Sequence, residues 1–418
     1  MELREYQEKA CQTTVAGFKK SHKQLIVLPT GSGKTFVFWN IIKRMGLKTL
    51  VLVNTREIQK HTIETGEKSF PAFVDKVNVS TVQSAMYTKK LNKLRNDNYD
   101  LIIVDECHHS CAGGYRKIFD YLDVKHKYIL GVTATPFRKD GQSVYELFGK
   151  PNFTISLDEL ISLGFLCDLQ GYRIKTNCSL TGVRKNKGDF QKNQLESVIN
   201  TKNRNQLIVN EYIKLAKDEK AIVFCISVKH AFEIKNEFLL KGISCEVIHG
   251  KMSKMERDLF LRYFKAGRIK ILANCQILTE GFDEPSITTL LMARPTCSKT
   301  LYVQMIGRGA RIFQGKEQCK ILEFTDNNFS VFDLSQCYDE RKHKLKMEEG
   351  ETFSDFVKRV KELPEGHEDT VVEKINIIPK FNNEDRATPW QIEELTRRGI
   401  KTPEQITETA ANYLLSQG

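Results

Sequence analysis

The stretch that most constrains this chain is "QLIVLPTGSGKT", residues 24–35. An apolar run meets a turn with two glycines, then Lys34, Thr35 and the start of an amphipathic helix. A buried strand feeding a glycine-rich turn and a helix is the setting of a phosphate-binding loop. Thr30, Gly31, Ser32 and Gly33 would form the cradle. Its glycines let backbone N–H groups turn toward a phosphate, and the helix N-terminus adds partial positive charge. Lys34 would reach the β- and γ-phosphates of a nucleotide, and the Thr35 hydroxyl would ligate Mg²⁺. The strict motif has glycine three places before Gly31, where this chain has Leu28. The shorter G-x-G-K-T remains.

The surrounding pattern is consistent with that loop. Short apolar runs alternate with amphipathic helices, twice over, which predicts α/β architecture with two parallel-sheet lobes in tandem. The first set is 24–28, 49–53, 101–104 and 128–132; the second is 221–226, 245–248, 269–274, 288–293 and 320–324. Ser253 and Glu256 make an S-x-x-E capping box ahead of a helix that Gly267 follows. The expected layout is one lobe at 1–150, a polar and basic linker or excursion at 151–204, a second lobe at 205–330, and a mostly helical accessory region at 331–418. Thr388-Pro389 and Thr402-Pro403 read as helix starts with proline at the first helical position, a terminal hairpin.

The 418 residues suffice for two or three domains, and 40% hydrophobic with 28% charged residues is an ordinary globular balance. No run of about 18 apolar residues predicts a membrane span. The 11 cysteines are scattered without C-x-x-C, so free thiols in a cytoplasmic or equivalent reducing compartment are expected. Residues 331–418 hold 13 basic and 18 acidic side chains, net −5; the first 330 therefore hold 51 and 34, net +17. An excess of that size fits a polyanionic partner, and equally a solvated basic surface.

"LIIVDECHHSC", residues 101–111, holds two histidines, two cysteines and two carboxylates behind an apolar strand. Cys107, His108, His109 and Cys111 are packed too tightly for usual tetrahedral zinc spacing. With a phosphate loop upstream, Asp105 is the expected Mg²⁺ carboxylate and Glu106 the general base that polarises water. Cys107 reads as a packing residue.

Further motifs occur in order. They are "LREYQ" (3–7), "VLVNTREIQKH" (51–61), "VSTVQSA" (79–85), "TATPFR" (133–138), "AIVFCIS" (221–227), "NCQILTEGFDEPSI" (274–287) and "QMIGRGARI" (304–312). Together with the loop and the DECH box they resemble superfamily 2 DEXH-box helicases over about residues 3–312. The finer pattern resembles the XPB, UvsW and RecG subgroup of bacterial or phage type. It lies in Arg173–Thr176, Leu180–Arg184, Gly188–Phe190, His249–Lys251 and Leu278–Ile287.

The resemblance implies two RecA-like lobes with ATP and Mg²⁺ between them and nucleic acid across both. It implies an ATP-dependent helicase or translocase, most naturally on duplex, forked or branched DNA in replication, recombination or repair. RNA unwinding, or a duplex translocase motor of a restriction or defence assembly, are the alternatives; so, in another class, are a catalytically dead clamp and a zinc scaffold. By resemblance Arg4 and Gln7 would read the base. Gly281 and Asp283 would close on the nucleotide. Gln304, Arg308 and Arg311 would act from the second lobe, the two arginines one helical turn apart as arginine fingers. His108, Thr133 and Thr135 would couple the lobes. Thr55, Arg56, Thr81, Ser227, His249, Lys251 and Thr279 would contact nucleic-acid phosphates, which reads no base sequence. The terminal hairpin is a candidate protein-partner module.

Overall fold

In the computed structural model the described residues are 2–110, 113–135, 144–186, 189–275 and 284–324, with Thr352, Ser354 and Asp355 beyond them. Among these the chain divides into two compact units between Leu157 and Asp158. The main sheet of each is parallel throughout.

The first lobe's sheet comprises β1 (Lys23–Val27), β2 (Thr49–Val53), β3 (Val77–Thr81), β4 (Leu101–Asp105), β5 (Tyr128–Thr133) and β6 (Phe153–Thr154) in the order β3-β2-β4-β5-β1-β6. β2 and β4 are buried along their whole length, because helices cover both faces. The helix Lys34–Met45 follows β1 and ends at Gly46, whose left-handed φ of 66° lets its N–H bond the Ile42 carbonyl at 2.8 Å. The core gathers Leu25, Leu50, Ile102, Cys107 and Phe148.

The second lobe contains β7 (Asp168–Ile174), a hairpin of β8 (Lys185–Asn186) and β9 (Asp189–Phe190), then β10 (Ala221–Phe224), β11 (Cys245–His249), β12 (Ile271–Cys275), β13 (Thr289–Met292) and β14 (Gln318–Phe324). Its sheet order is β11-β12-β10-β13-β14-β7. The Ser253 cap forms as read: Ser253 Oγ accepts the Glu256 N–H at 3.2 Å ahead of the helix Lys254–Lys265, and its hydroxyl reaches Glu256 Oε2 at 3.3 Å.

The segment 151–204, expected as a linker or small excursion, contributes a strand to each main sheet. β6 pairs with β1 on the first sheet. β7 pairs with β14 over seven residues, Gln318↔Asp168 to Phe324↔Ile174. The apolar signal of β7 is diluted by Asp168, Gln170 and Arg173, as expected of an edge strand with one open side. Arg204, buried in the helix Lys202–Ala216, donates to the Ala293 carbonyl at 3.0 Å and stacks on Phe324. Thr352 bridges Gln170, and the Ser354 N–H reaches the Asp168 carboxylate at 3.3 Å. The rest of the expected accessory region, with its terminal hairpin, lies outside the described residues.

Candidate nucleotide site and nucleic-acid interface

The turn after β1 needs two residues in left-handed backbone, and both are glycine: Gly31 at φ 91° and Gly33 at φ 80°. A side chain at Gly33 would also collide with Gln7, whose Nε2 stands 2.6 Å from where its Cβ would lie. Gln7 is buried and engaged at both ends of its amide. Nε2 donates to the Ser32 carbonyl at 2.9 Å, and Oε1 accepts the Arg4 N–H at 3.0 Å. The expected base-reading amide thus clamps the loop. Tyr6, which the sequence reading did not single out, donates its hydroxyl to the same Ser32 carbonyl at 2.6 Å. Burial pushes the Tyr6 phenol above its ordinary pKa, which keeps it a donor. By contrast the hydroxyls of Thr30 and Ser32 are buried without a hydrogen-bond partner. A buried orphan hydroxyl costs about 1–3 kcal/mol, and a loop that carries two is built for an incoming polar ligand.

Lys34 opens the helix, and its Nζ meets Glu106 Oε1 at 2.8 Å with both side chains 11% exposed. Glu106 follows β4 in left-handed backbone at φ 48°, uncommon for a residue with a side chain. Burial alone would raise its pKa; the Lys34 ammonium and His108 outweigh that and hold the carboxyl well below the usual carboxylate range. Asp105, buried at the strand end, accepts the Glu106 N–H at 2.9 Å on Oδ1. His108 Nδ1 lies 2.9 Å from Thr133 Oγ1 and 3.4 Å from Glu106 Oε2. Thr133 donates its own hydroxyl hydrogen to the Thr135 carbonyl at 2.8 Å. Glu106, His108, Thr133 and Thr135 form one chain of contacts from β4 to the end of β5. Cys107 is fully buried in the core. Among the described residues no three His, Cys, Asp or Glu side chains gather as metal ligands.

In the second lobe Gln304 and Arg308 are buried on the helix Lys299–Gly309, and Gln304 Nε2 has no hydrogen-bond partner. Arg311 departs from the reading. The helix ends at Gly309 with Ala310 as its cap, so Arg311 lies beyond the last turn rather than one turn along a shared face. The cause is local packing. A Cβ at Gly309 would stand 2.4 Å from Cys319 Sγ. Lys316 folds back, buried, and donates to the carbonyls of Gly309 at 2.5 Å, Arg311 at 3.0 Å and Pro285 at 3.3 Å. An ammonium on terminal carbonyls ends a helix favourably.

The expected phosphate contacts of the strand ends are mostly helix caps. Thr55 Oγ1 accepts the Ile58 N–H at 3.2 Å and Thr81 Oγ1 the Ser84 N–H at 3.2 Å. Ser227 Oγ accepts the His230 N–H at 2.9 Å and donates to Glu196 Oε1 at 2.5 Å, so its hydroxyl is fully used inside the protein. Arg56 and Lys251 are exposed, and His249 at the end of β11 accepts the Lys251 N–H on Nδ1 at 3.3 Å. Thr279, Gly281 and Asp283 lie outside the described residues.

The family described as Type III restriction enzyme, res subunit, matches residues 1–138, and the Helicase conserved C-terminal domain matches 203–313. These matches mark a superfamily 2 helicase. The putative ATP-dependent helicase IRC3 of Saccharomyces cerevisiae is 31% identical over 355 residues, covering 77% of this chain. This chain spans 51% of that relative's length. The DNA 3'-5' translocase XPB2 of Sulfurisphaera tokodaii is 29% identical over 395 residues, 80% of this chain and 84% of that protein. Among solved structures, a fragment of a putative HsdR subunit of a type I restriction enzyme from Vibrio vulnificus YJ016 superposes at TM-score 0.62. It covers 78% of this chain and 64% of that one at 24% identity, a likeness of fold.

The overlooked residues share one property. Tyr6 and Lys316 each place a polar group on backbone carbonyls next to a motif. Tyr6 stands beside Gln7 and had a positional signal. Lys316 lies in "FQGKEQ", an unremarkable exposed-looking turn, and carries no signal of the contact it makes.

Proposed function

We propose that this chain is a nucleic-acid-stimulated ATPase of the DEXH type, related to the XPB, UvsW and RecG subgroup, that opens or remodels duplex or branched DNA. The observation that carries the reading is the Lys34–Glu106 pair beside two partnerless buried hydroxyls on a phosphate loop. The donors nearest a nucleotide's metal, the Thr35 hydroxyl and the Asp105 carboxylate, are both oxygen, the set that Mg²⁺ takes. The metal would neutralise charge on the transferring phosphate. Lys34 would leave Glu106 for the phosphates, and the freed carboxylate, held ionised, would take a proton from water. Arg308 and Arg311 would act from the second lobe, so that hydrolysis follows lobe movement.

DNA as substrate is supported by the relation to the translocase XPB2. A duplex translocase that does not separate strands is the second reading, favoured by the match of residues 1–138 to the restriction-enzyme family.

The deciding measurement compares ATPase stimulation and strand separation on single strands, duplexes, forks, four-way junctions and RNA duplexes. Stimulation by branched or duplex DNA with strand separation is expected, and stimulation without separation selects the translocase. Lys34→Ala should lose roughly 10²–10³ in turnover while still binding nucleic acid. Wild-type turnover in that variant would remove the loop from catalysis.

A further inference from the structure

The hairpin β8–β9 and the helix Lys192–Ile199 form an element that the nucleotide site does not use. Phe190, Leu195 and Ile199 pack on Ile226, with Val183 at the margin, as a small core of their own. Ile226 follows β10. The element therefore sits at the C-terminal ends of the second lobe's central strands, where open parallel sheets bind ligands.

Its attachment is specific. Asp189, 10% exposed, uses both carboxylate oxygens. Oδ2 takes the Arg294 guanidinium at 2.7 Å; Oδ1 accepts from Phe190 N at 2.9 Å, Thr296 Oγ1 at 3.1 Å and Cys297 N at 2.8 Å. Thr296 Oγ1 in turn accepts the Ser298 N–H at 3.0 Å, and Ser298 Oγ caps the helix Lys299–Gly309 through the Leu301 N–H at 3.3 Å. Continuous bonding thus runs from the hairpin to the helix that carries Gln304 and Arg308.

The outward face is positive. Both carboxylates of the element point inward, Asp189 to Arg294 and Glu196 to Ser227. Arg184, Lys185 and Lys192 remain exposed.

We propose that this element grips a nucleic-acid backbone through Arg184, Lys185 and Lys192, and that Asp189 is the positioning residue that ties this grip to the helix bearing Gln304 and Arg308. The inference rests on the reading of the chain as a nucleic-acid-stimulated ATPase. A bound strand pulls on the hairpin, and the Asp189–Thr296–Ser298 path transmits the displacement to the catalytic helix.

The test uses the full chain, titrating ATPase with duplex and single-stranded DNA at several salt concentrations. The double variant R184A/K185A should raise the half-saturating DNA concentration roughly threefold to tenfold. It should also flatten the dependence of log affinity on log salt by about 1 to 2. Asp189→Asn keeps the shape and loses the charge. It should lower the maximal stimulated rate severalfold, by more than it shifts half-saturation, a split that simple loss of fold does not produce. Melting temperatures check folding, and the surface pair decides alone if Asp189→Asn does not fold. A stimulated wild type with both variants indistinguishable from it overturns the inference and leaves the ATPase reading standing. A wild type that neither DNA nor RNA stimulates overturns both.

Discussion

Each lobe buries an ion pair at the C-terminal ends of its strands, and the two pairs are built differently. Glu106 holds Lys34 with one oxygen and has His108 at 3.4 Å from the other. Asp189 holds Arg294 and accepts three further hydrogen bonds. The first pair is thinly bonded, set among orphan hydroxyls, so a phosphate can replace the carboxylate at Lys34. The second is saturated, so nothing gains by entering it. Burial and charge are nearly the same in both; the number of donors around the carboxylate separates a site from a clasp.

The contrast breaks most readily at the carboxylates. Glu106→Gln should cut ATP turnover by about 10²–10⁴ and leave the melting temperature within a few degrees. A large loss of stability would place Glu106 with the clasp. Asp189→Ala, unlike the shape-keeping Asn, strands the Arg294 charge and should cost about 3–5 kcal/mol in denaturant unfolding of the second lobe. A loss under about 1 kcal/mol would put it with surface pairs.

Acid weakens both lobes, over different pH ranges. Burial, with Arg204 nearby, lowers the His230 pKa from 6.5 to about 3; its ring is also held by Asn205 at 3.2 Å. The folded state keeps His230 neutral while the unfolded chain takes a proton below pH 6.5, so stability falls as pH drops through that value. About 2 kcal/mol should be lost between pH 6.5 and 5 from this residue. Glu106 acts in the same direction at lower pH: its folded pKa is depressed, so its contribution is intact above its ordinary value of 4.5 and lost as pH falls below it. Urea unfolding at pH 7 and 5 should show the second lobe weakening first. His230→Gln should flatten that loss, and an unchanged slope would assign it elsewhere.

The smallest effect concerns Glu196, whose carboxylate occupies the Ser227 hydroxyl at the start of the helix Val228–Leu240. Glu196→Gln should tighten nucleic-acid binding about twofold to fivefold, the scale of one charge at a helix terminus. Weaker binding would make the Glu196–Ser227 bond part of the grip.

The local grammar of the chain was readable without coordinates. The runs at 49–53, 101–104 and 128–132 are strands because apolar side chains in short runs bounded by turn residues can be satisfied only inside a sheet. The phosphate loop and the caps at Gly46 and Ser253 follow from the few φ values and side-chain reaches that those turns allow. That Lys34 and Glu106 serve one site was expected from motif order, and β1 and β4 do flank β5 in one sheet; their direct ion pair was not read from the sequence.

What tertiary structure alone decided is which distant group each polar atom answers to. β7 reads as linker because its partner, β14, lies about 150 residues away. Ser227 looks free to hold a phosphate until Glu196 is folded onto it. Arg311 fits a helical spacing that Gly309 and Lys316 end two residues too early. Asp189 is one acidic residue in a basic stretch until four donors converge on it. Periodicity and turn chemistry act over a few residues, whereas hydrogen-bond partners and sheet edges are chosen by long-range closure, which leaves no mark in the neighbouring sequence.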